Sequence, residues 1–359
     1  MAIATINDIA SGLASSKQTL RFHKNSTAAK AVGSFQSCWL ATGIPGAGVA
    51  PPLYTAGSGY TASKDTVGAL QYINGVTQNW LAKLAASSSI AGTVILADRL
   101  WSCSGIPFGA STYNITTPGA LPARITDGGV GCEMWVEEFI AQGAVTGTLT
   151  IAYLNSVPVM TNGTDPVVAA IDYAISPTYA ISLYNGLPVW YSPTKALYIF
   201  WDTGTATWYI YTAVGVGIPP GKHYLRNNTS PVGIYAAGGG GAGTPTFAFG
   251  SAKSGVLGTL ATSPVIGQMQ PIPLQAGDVG ISQIISWTNS QTWTSNSAGI
   301  TILKRIAEIE VPIIGASQSF DWARLGLPQI PSDACLMLLW QANATTACLI
   351  LGRAEIIDK

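Results

Sequence analysis

From residue 92 onward the chain alternates apolar and polar side chains with a period of two, and Gly, Pro, Ser or Asn punctuates the alternation at short intervals. Residues 92–100 (GTVILADRL), 131–141 (GCEMWVEEFIA) and 146–154 (TGTLTIAYL) therefore predict strands. The same pattern returns at 279–287, 299–311, 334–341 and 346–357. Two groups of strands joined by turn-rich stretches suit antiparallel two-sheet packing rather than a βαβ fold. The one helix signal is at 5–20, where Thr5 or Asn7 caps a stretch with Ile6, Ile9, Ala10 and Leu13 at helical spacing. After it, 43–59 is rich in Gly, Pro and Ala and reads as an extended loop.

Between the strand groups, 167–250 has another texture. It holds Tyr184, Trp190, Tyr191, Tyr198, Trp201, Trp208, Tyr209 and Tyr211, with short strands expected at 180–184, 188–191, 197–201 and 207–212. Turns such as Asn185-Gly186 and Asp202-Thr203-Gly204 connect them, and a glycine run at 238–241 closes the segment. The expected fold is all-β: a jelly-roll-like β-sandwich with a short N-terminal helix and arm, interrupted by a small inserted β-domain. The boundaries are 1–60 for helix, basic arm and loop, 61–166 with 251–359 for the sandwich, and 167–250 for the insertion. Insertions are tolerated at exposed loop tips, so this one should project outward.

Composition changes the picture of the surface. Only 9% of residues are charged against 48% hydrophobic, and the formal net charge is zero. A free-standing soluble domain is about one quarter charged. Residues 173–194, 227–252 and 256–277 carry no charge at all, so much of the surface should be uncharged and prone to associate. Each of these stretches is broken by Gly, Pro, Ser or Asn, which leaves no apolar helix of about 20 residues to span a membrane. No leader pattern opens the chain, and synthesis in the cytoplasm is expected. Specific nucleic-acid binding, which needs clustered cations, is not expected. The cations that do cluster are Lys17, Arg21, His23, Lys24 and Lys30, either a solvated arm or one that docks on an acidic neighbour.

Candidate chemistry is sparse. Glu133 and Glu137 share one strand face with Trp135, and paired carboxylates are what glycoside hydrolysis requires. Edge protection or a contact between subunits is the simpler reading of Glu133, Glu137 and Glu138. Ser192 and Lys195 match S-x-x-K without its partner motifs, and Gly221-Lys222-His223 lacks the rest of a phosphate loop. The five cysteines lack metal-site or CxxC spacing and read as buried free thiols. No cofactor, metal or catalytic residue is expected. The insertion's aromatics either form a core or, through Trp190, Trp201 and Trp208, an exposed platform for glycan or protein.

Residues 4–9 (ATINDI), 21–24 (RFHK), 37–48 (SCWLATGIPGAG), 92–100 and 273–281 (PLQAGDVGI), followed by the strand at 300–308, resemble a family of tailed-bacteriophage virion proteins. Residues 184–191 (YNGLPVWY), 197–202 (LYIFWD) and 208–210 (WYI) are similar to a small β-module of phage structural and surface proteins. The resemblance implies a non-enzymatic virion protein, assembled in the host bacterial cytoplasm, that decorates or stabilises the capsid. Its partners would be the major capsid protein and copies of itself, most simply as a homotrimer, with Lys17, Arg21, His23 and Lys24 docking. The alternatives are a tail or fibre component that binds a host receptor or a host-surface glycan through the aromatic insertion, with Trp190, Trp201 and Trp208, and, more remotely, a polysaccharide hydrolase using Glu133 and Glu137. On the assembly reading, most of the missing charge marks surface buried between subunits.

Overall fold

The computed structural model describes residues 6–25, 33–76, 78–107, 109–115, 121–140, 147–156, 158–161, 174–175, 189–214, 223–226, 233–238, 245–249, 252–257, 266–290, 297–311, 318–321, 327–342 and 347–358. Among these the protein is all-β, with a single short helix, Ile6–Ser15.

At its centre six strands close into a barrel. Their order is Gln268–Ile272, Phe35–Ser37, Leu336–Ala342, Gly92–Pro107, Ser297–Val311 and Cys132–Glu137, and the last pairs back onto the first. Every neighbouring pair is antiparallel. The alternation of these strands sorts their side chains between an inner and an outer surface. Ile95, Ala97, Trp135, Leu303, Met337 and Leu339 form the inner cluster. Val94, Leu96, Leu336 and Leu338 point outward against a sheet made of Gln318–Asp321, Asn79–Ser88, Leu349–Asp358, Gln18–Asn25 and Gly43–Ile44. On another side Met134, Val136, Ile300 and Ile302 meet a second sheet, Ala252–Leu257, Leu149–Asn155, Ile281–Asn289 and Thr112–Asn114. Covered inside and out, Gly92–Pro107 is buried almost without interruption. Three register shifts along its pairing with Ser297–Val311 bend these long strands around the barrel.

The insertion's strands form two further sheets. One runs Ala174–Ile175, Trp190–Ser192, Leu197–Asp202, Thr207–Tyr211, His223–Arg226 and Ala236–Gly238; the other joins Gly233–Ile234 and Thr246–Phe249 to Pro158–Thr161, a strand that precedes the expected boundary at 167. Their core is aromatic: Trp190, Trp208, Tyr224, Tyr235 and Phe247, with Leu197, Ile199 and Ile210. The strand expected at 180–184, the Asn185-Gly186 turn, Lys30 and most of the glycine run lie outside the described residues.

Two expectations near the N-terminus need correction. The helix stops at Ser15 instead of continuing to residue 20, and the basic segment is no arm. Residues 18–25 are a full strand paired along their length with Leu349–Asp358. Apolar Leu20 and Phe22 alternate with Thr19, Arg21 and His23, a period of two that overrides the helical spacing before it. The loop at 43–59 likewise lies on its own barrel: Trp39 Nε1 donates to the Val49 carbonyl at 2.9 Å, and Ser104 Oγ to that of Pro51 at 2.6 Å.

Candidate functional site

Charge is scarce in this chain, so where it is spent is informative. The adjacent residues Asp98 and Arg99 lie on the central barrel strand and, by alternation, project to opposite faces. Arg124 reaches Asp98 with both arms of its guanidinium, Nε donating to Oδ2 at 2.9 Å and Nη2 to Oδ1 at 3.0 Å. The same Nη2 donates to the Ala62 carbonyl at 2.7 Å, and the Cys335 amide donates to Asp98 Oδ1 at 2.8 Å. Burial pushes the Asp98 carboxyl above its ordinary pKa, while the bonds from Arg124 and Cys335 pull against it. The cluster pins three separate segments to one strand.

On the other face Arg99 meets Glu137, with Nη2 2.8 Å from Oε2 and Nη1 donating to Oε1 at 3.2 Å. Thr301 Oγ1 donates to the same carboxylate. Arg99 Nε donates to Ser102 Oγ at 3.2 Å, and the guanidinium stacks over Trp39, 4.6 Å from the ring centre. Both charged side chains are buried. Closed off from solvent, with Ser102 and Thr301 bonding its two ends, this pair ties the barrel strands to one another.

The carboxylates singled out from the sequence are thus separated by role. Glu133 is half-buried, accepts from Trp135 Nε1 at 3.0 Å and pairs with Arg305 at 2.9 Å. Along a strand the Cα atoms of Glu133 and Glu137 stand about 13 Å apart, and each carboxylate is taken by its own arginine, Arg305 and Arg99 respectively. Their strand, Cys132–Glu137, has partners on both sides, so edge protection does not explain them. Sequence reasoning missed Arg124, Asp98 and Thr301, because nothing in local spacing marks them as partners. No family model, curated protein or solved structure matches the chain.

The predicted interaction residues scatter. Lys24 is buried and donates to the carbonyls of Ala41 at 3.1 Å and Gly46 at 3.4 Å, and burial lowers its pKa. It cannot serve as a docking cation. Lys17 and Arg21 are exposed, and His23 is half-buried beside them. Trp190 and Trp208 are fully buried, 5.7 Å apart, in the core of the inserted sheets, and Trp201 packs on Trp208 at 5.4 Å. The aromatic platform built on these three rings is therefore overturned: a module this small needs them for its core. All five cysteines are buried.

What the structure does place on the surface is apolar. Ile44, Val49, Leu53, Val67, Ile73 and Val76 are all exposed, Ile73 by 76% and Val76 by 99%. The only charges in 44–76 are Lys64 and Asp65, which neutralise each other at 2.7 Å.

Proposed function

We propose that this chain is a non-enzymatic structural protein of a bacteriophage virion, a decoration or stabilising subunit bound to the capsid shell. The observation that carries the reading is the run of exposed apolar side chains over 44–76, a stretch whose two charges cancel. Single exposed apolar residues are ordinary, whereas a series along one surface segment marks a face for association. The buried ion pairs support the same view. Two of the chain's few ion pairs are buried in the barrel, which leaves an exterior sparse in charge and suited to packing against copies of itself and the shell.

The test is binding of the purified chain to heads assembled without it. Saturable co-sedimentation is expected, weakened about tenfold or more when Ile73→Asp and Val76→Asp are combined, a loss of roughly 1.4 kcal/mol. A chain that stays monomeric at micromolar concentration and leaves the heads unbound would sink the proposal. Electron microscopy of the intact particle would then show whether the subunit lies on head or tail, and in how many copies.

A further inference from the structure

The outer sheet is left open at one edge. In the pairing of Gln18–Asn25 with Leu349–Asp358, successive residues turn their N–H and C=O groups alternately toward that partner and away from it. The Asn25 amide donates to the Thr42 carbonyl on the far side, at 3.0 Å. By alternation His23, Arg21 and Thr19 face that side too. The short strand Gly43–Ile44 covers only His23 and Lys24, and Pro45, which has no N–H, follows it. Thr19 and Arg21 thus aim their backbone groups into a groove of about 580 Å³. Ile44 and Val67 flank this groove, and Gln18 closes one end by bonding the Ile73 backbone at 2.8 Å in both directions.

The groove's rim carries positive charge. Arg21 is exposed and sits directly opposite Arg353, in the kind of pair whose side chains come closest across an antiparallel ladder. Like charges in that position repel. Arg353 has Glu355 at 3.3 Å, but among the described residues neither Arg21 nor Lys17 has an ion-pair partner. An open backbone edge, apolar walls and an uncompensated cationic rim describe the complement of one kind of ligand.

We propose that the edge at Thr19–Phe22 takes an extended acidic segment of a different protein as an added β-strand. Backbone bonds to Thr19 and Arg21 would seat the strand, its apolar side chains would face inward toward Leu20 and Leu70, and its carboxylates would meet Arg21 on the outer face. The segment is assigned to another protein because this chain's own alternating acidic runs, Glu133 with Glu137 and Glu308 with Glu310, are already held in paired barrel strands. The assignment does not rest on the virion reading, although Ile44 and Val67 at the groove also belong to the exposed apolar run on which that reading rests.

The probe is a labelled hexapeptide of alternating Glu and Val, titrated against the full chain at low salt and followed by fluorescence anisotropy. Saturable binding with Kd below about 1 mM is expected, weakened about tenfold or more when Lys replaces Glu or when alternate peptide amides are methylated. Arg21→Glu should give a similar loss. Thr19→Pro should as well, because it removes only a donor that faces outward. Bound peptide should slow hydrogen exchange at the Thr19 and Arg21 amides, with an unchanged unfolding midpoint in Arg21→Glu showing that the fold is intact. No saturable binding, equal binding of the methylated peptide, or no effect of Arg21→Glu in a folded chain overturns the proposal and leaves Arg21 as edge protection. Self-association that Arg21→Glu abolishes and that excludes the peptide also overturns it, with a second copy as the occupant.

Discussion

Ala196 and Ala206 occupy equivalent positions in consecutive hairpins, each at φ 51° in the left-handed region. Ser192 Oγ accepts from the Lys195 amide in one turn, and Asp202 Oδ1 from the Gly204 amide in the other. A side chain at that φ costs about 1 kcal/mol that glycine avoids. Ala196→Gly and Ala206→Gly should each stabilise the inserted sheets by up to that amount, read as a higher unfolding midpoint in urea. The buried Arg99–Glu137 pair should respond in the opposite sense. Arg99→Met or Glu137→Leu alone leaves an uncompensated buried charge and should cost about 3–5 kcal/mol, whereas the double replacement should cost less than the sum. A double-mutant cycle by urea unfolding measures the coupling. At this scale the sequence showed that Glu133, Trp135 and Glu137 share a face, but not whether that face looks to solvent or into a barrel. A period of two has no sign for depth.

Among the elements, the strands that alternate cleanly were legible, whereas Gln18–Asn25 and Asn79–Ser88 were not. The latter, NWLAKLAASS, is built from good helix formers, and its strand state comes from pairing with Leu349–Asp358 on one side and Gln318–Asp321 on the other. Tertiary pairing overrides local preference there. The same sheet is closely fitted at Gly352, where the ring of Phe22 lies over the backbone. A Cβ at Gly352 would stand 2.3 Å from both Phe22 Cζ and the Ala85 carbonyl oxygen. Gly352→Ala should therefore destabilise by about 1–3 kcal/mol through overpacking, seen as a lower melting temperature and faster proteolysis near the N-terminus.

Across the whole molecule the buried thiols contribute to the response to alkali, joined above pH 10 by Tyr72 and Tyr153, whose pKa values burial also raises. Burial pushes Cys103 and Cys335 from 9.0 up to about 12, and raises Cys132 as well. Below pH 9 these thiols are protonated folded or unfolded and contribute nothing. Above it the unfolded chain releases protons that the folded one keeps, so stability falls as pH rises from 9 toward 12. Each such thiol should contribute about 1.4 kcal/mol per pH unit to that fall. Urea unfolding under reducing conditions should show a steep loss above pH 9 and a shallower one in Cys103→Ala; equal slopes would remove the thiols as its cause. Scarce charge is also distributed differently from the sequence expectation. Instead of a charged arm beside an uncharged body, the described cations divide between barrel pairs, the edge of one outer sheet and scattered surface sites.

By itself the sequence determined that the chain is all-β, where most of its longer strands run, that its thiols suit burial and that its surface carries little charge. Those properties follow from side-chain period, turn residues and composition, all of which are local. Only the tertiary structure decided that six strands close into a barrel, that Trp190 and Trp208 are core, and that a basic segment is a sheet strand with an open edge. It also decided the partners of Asp98 and Arg99, which lie 26 and 38 residues away. Alternation places a side chain on one of two faces. When both faces are buried, long-range pairing alone settles what each one meets.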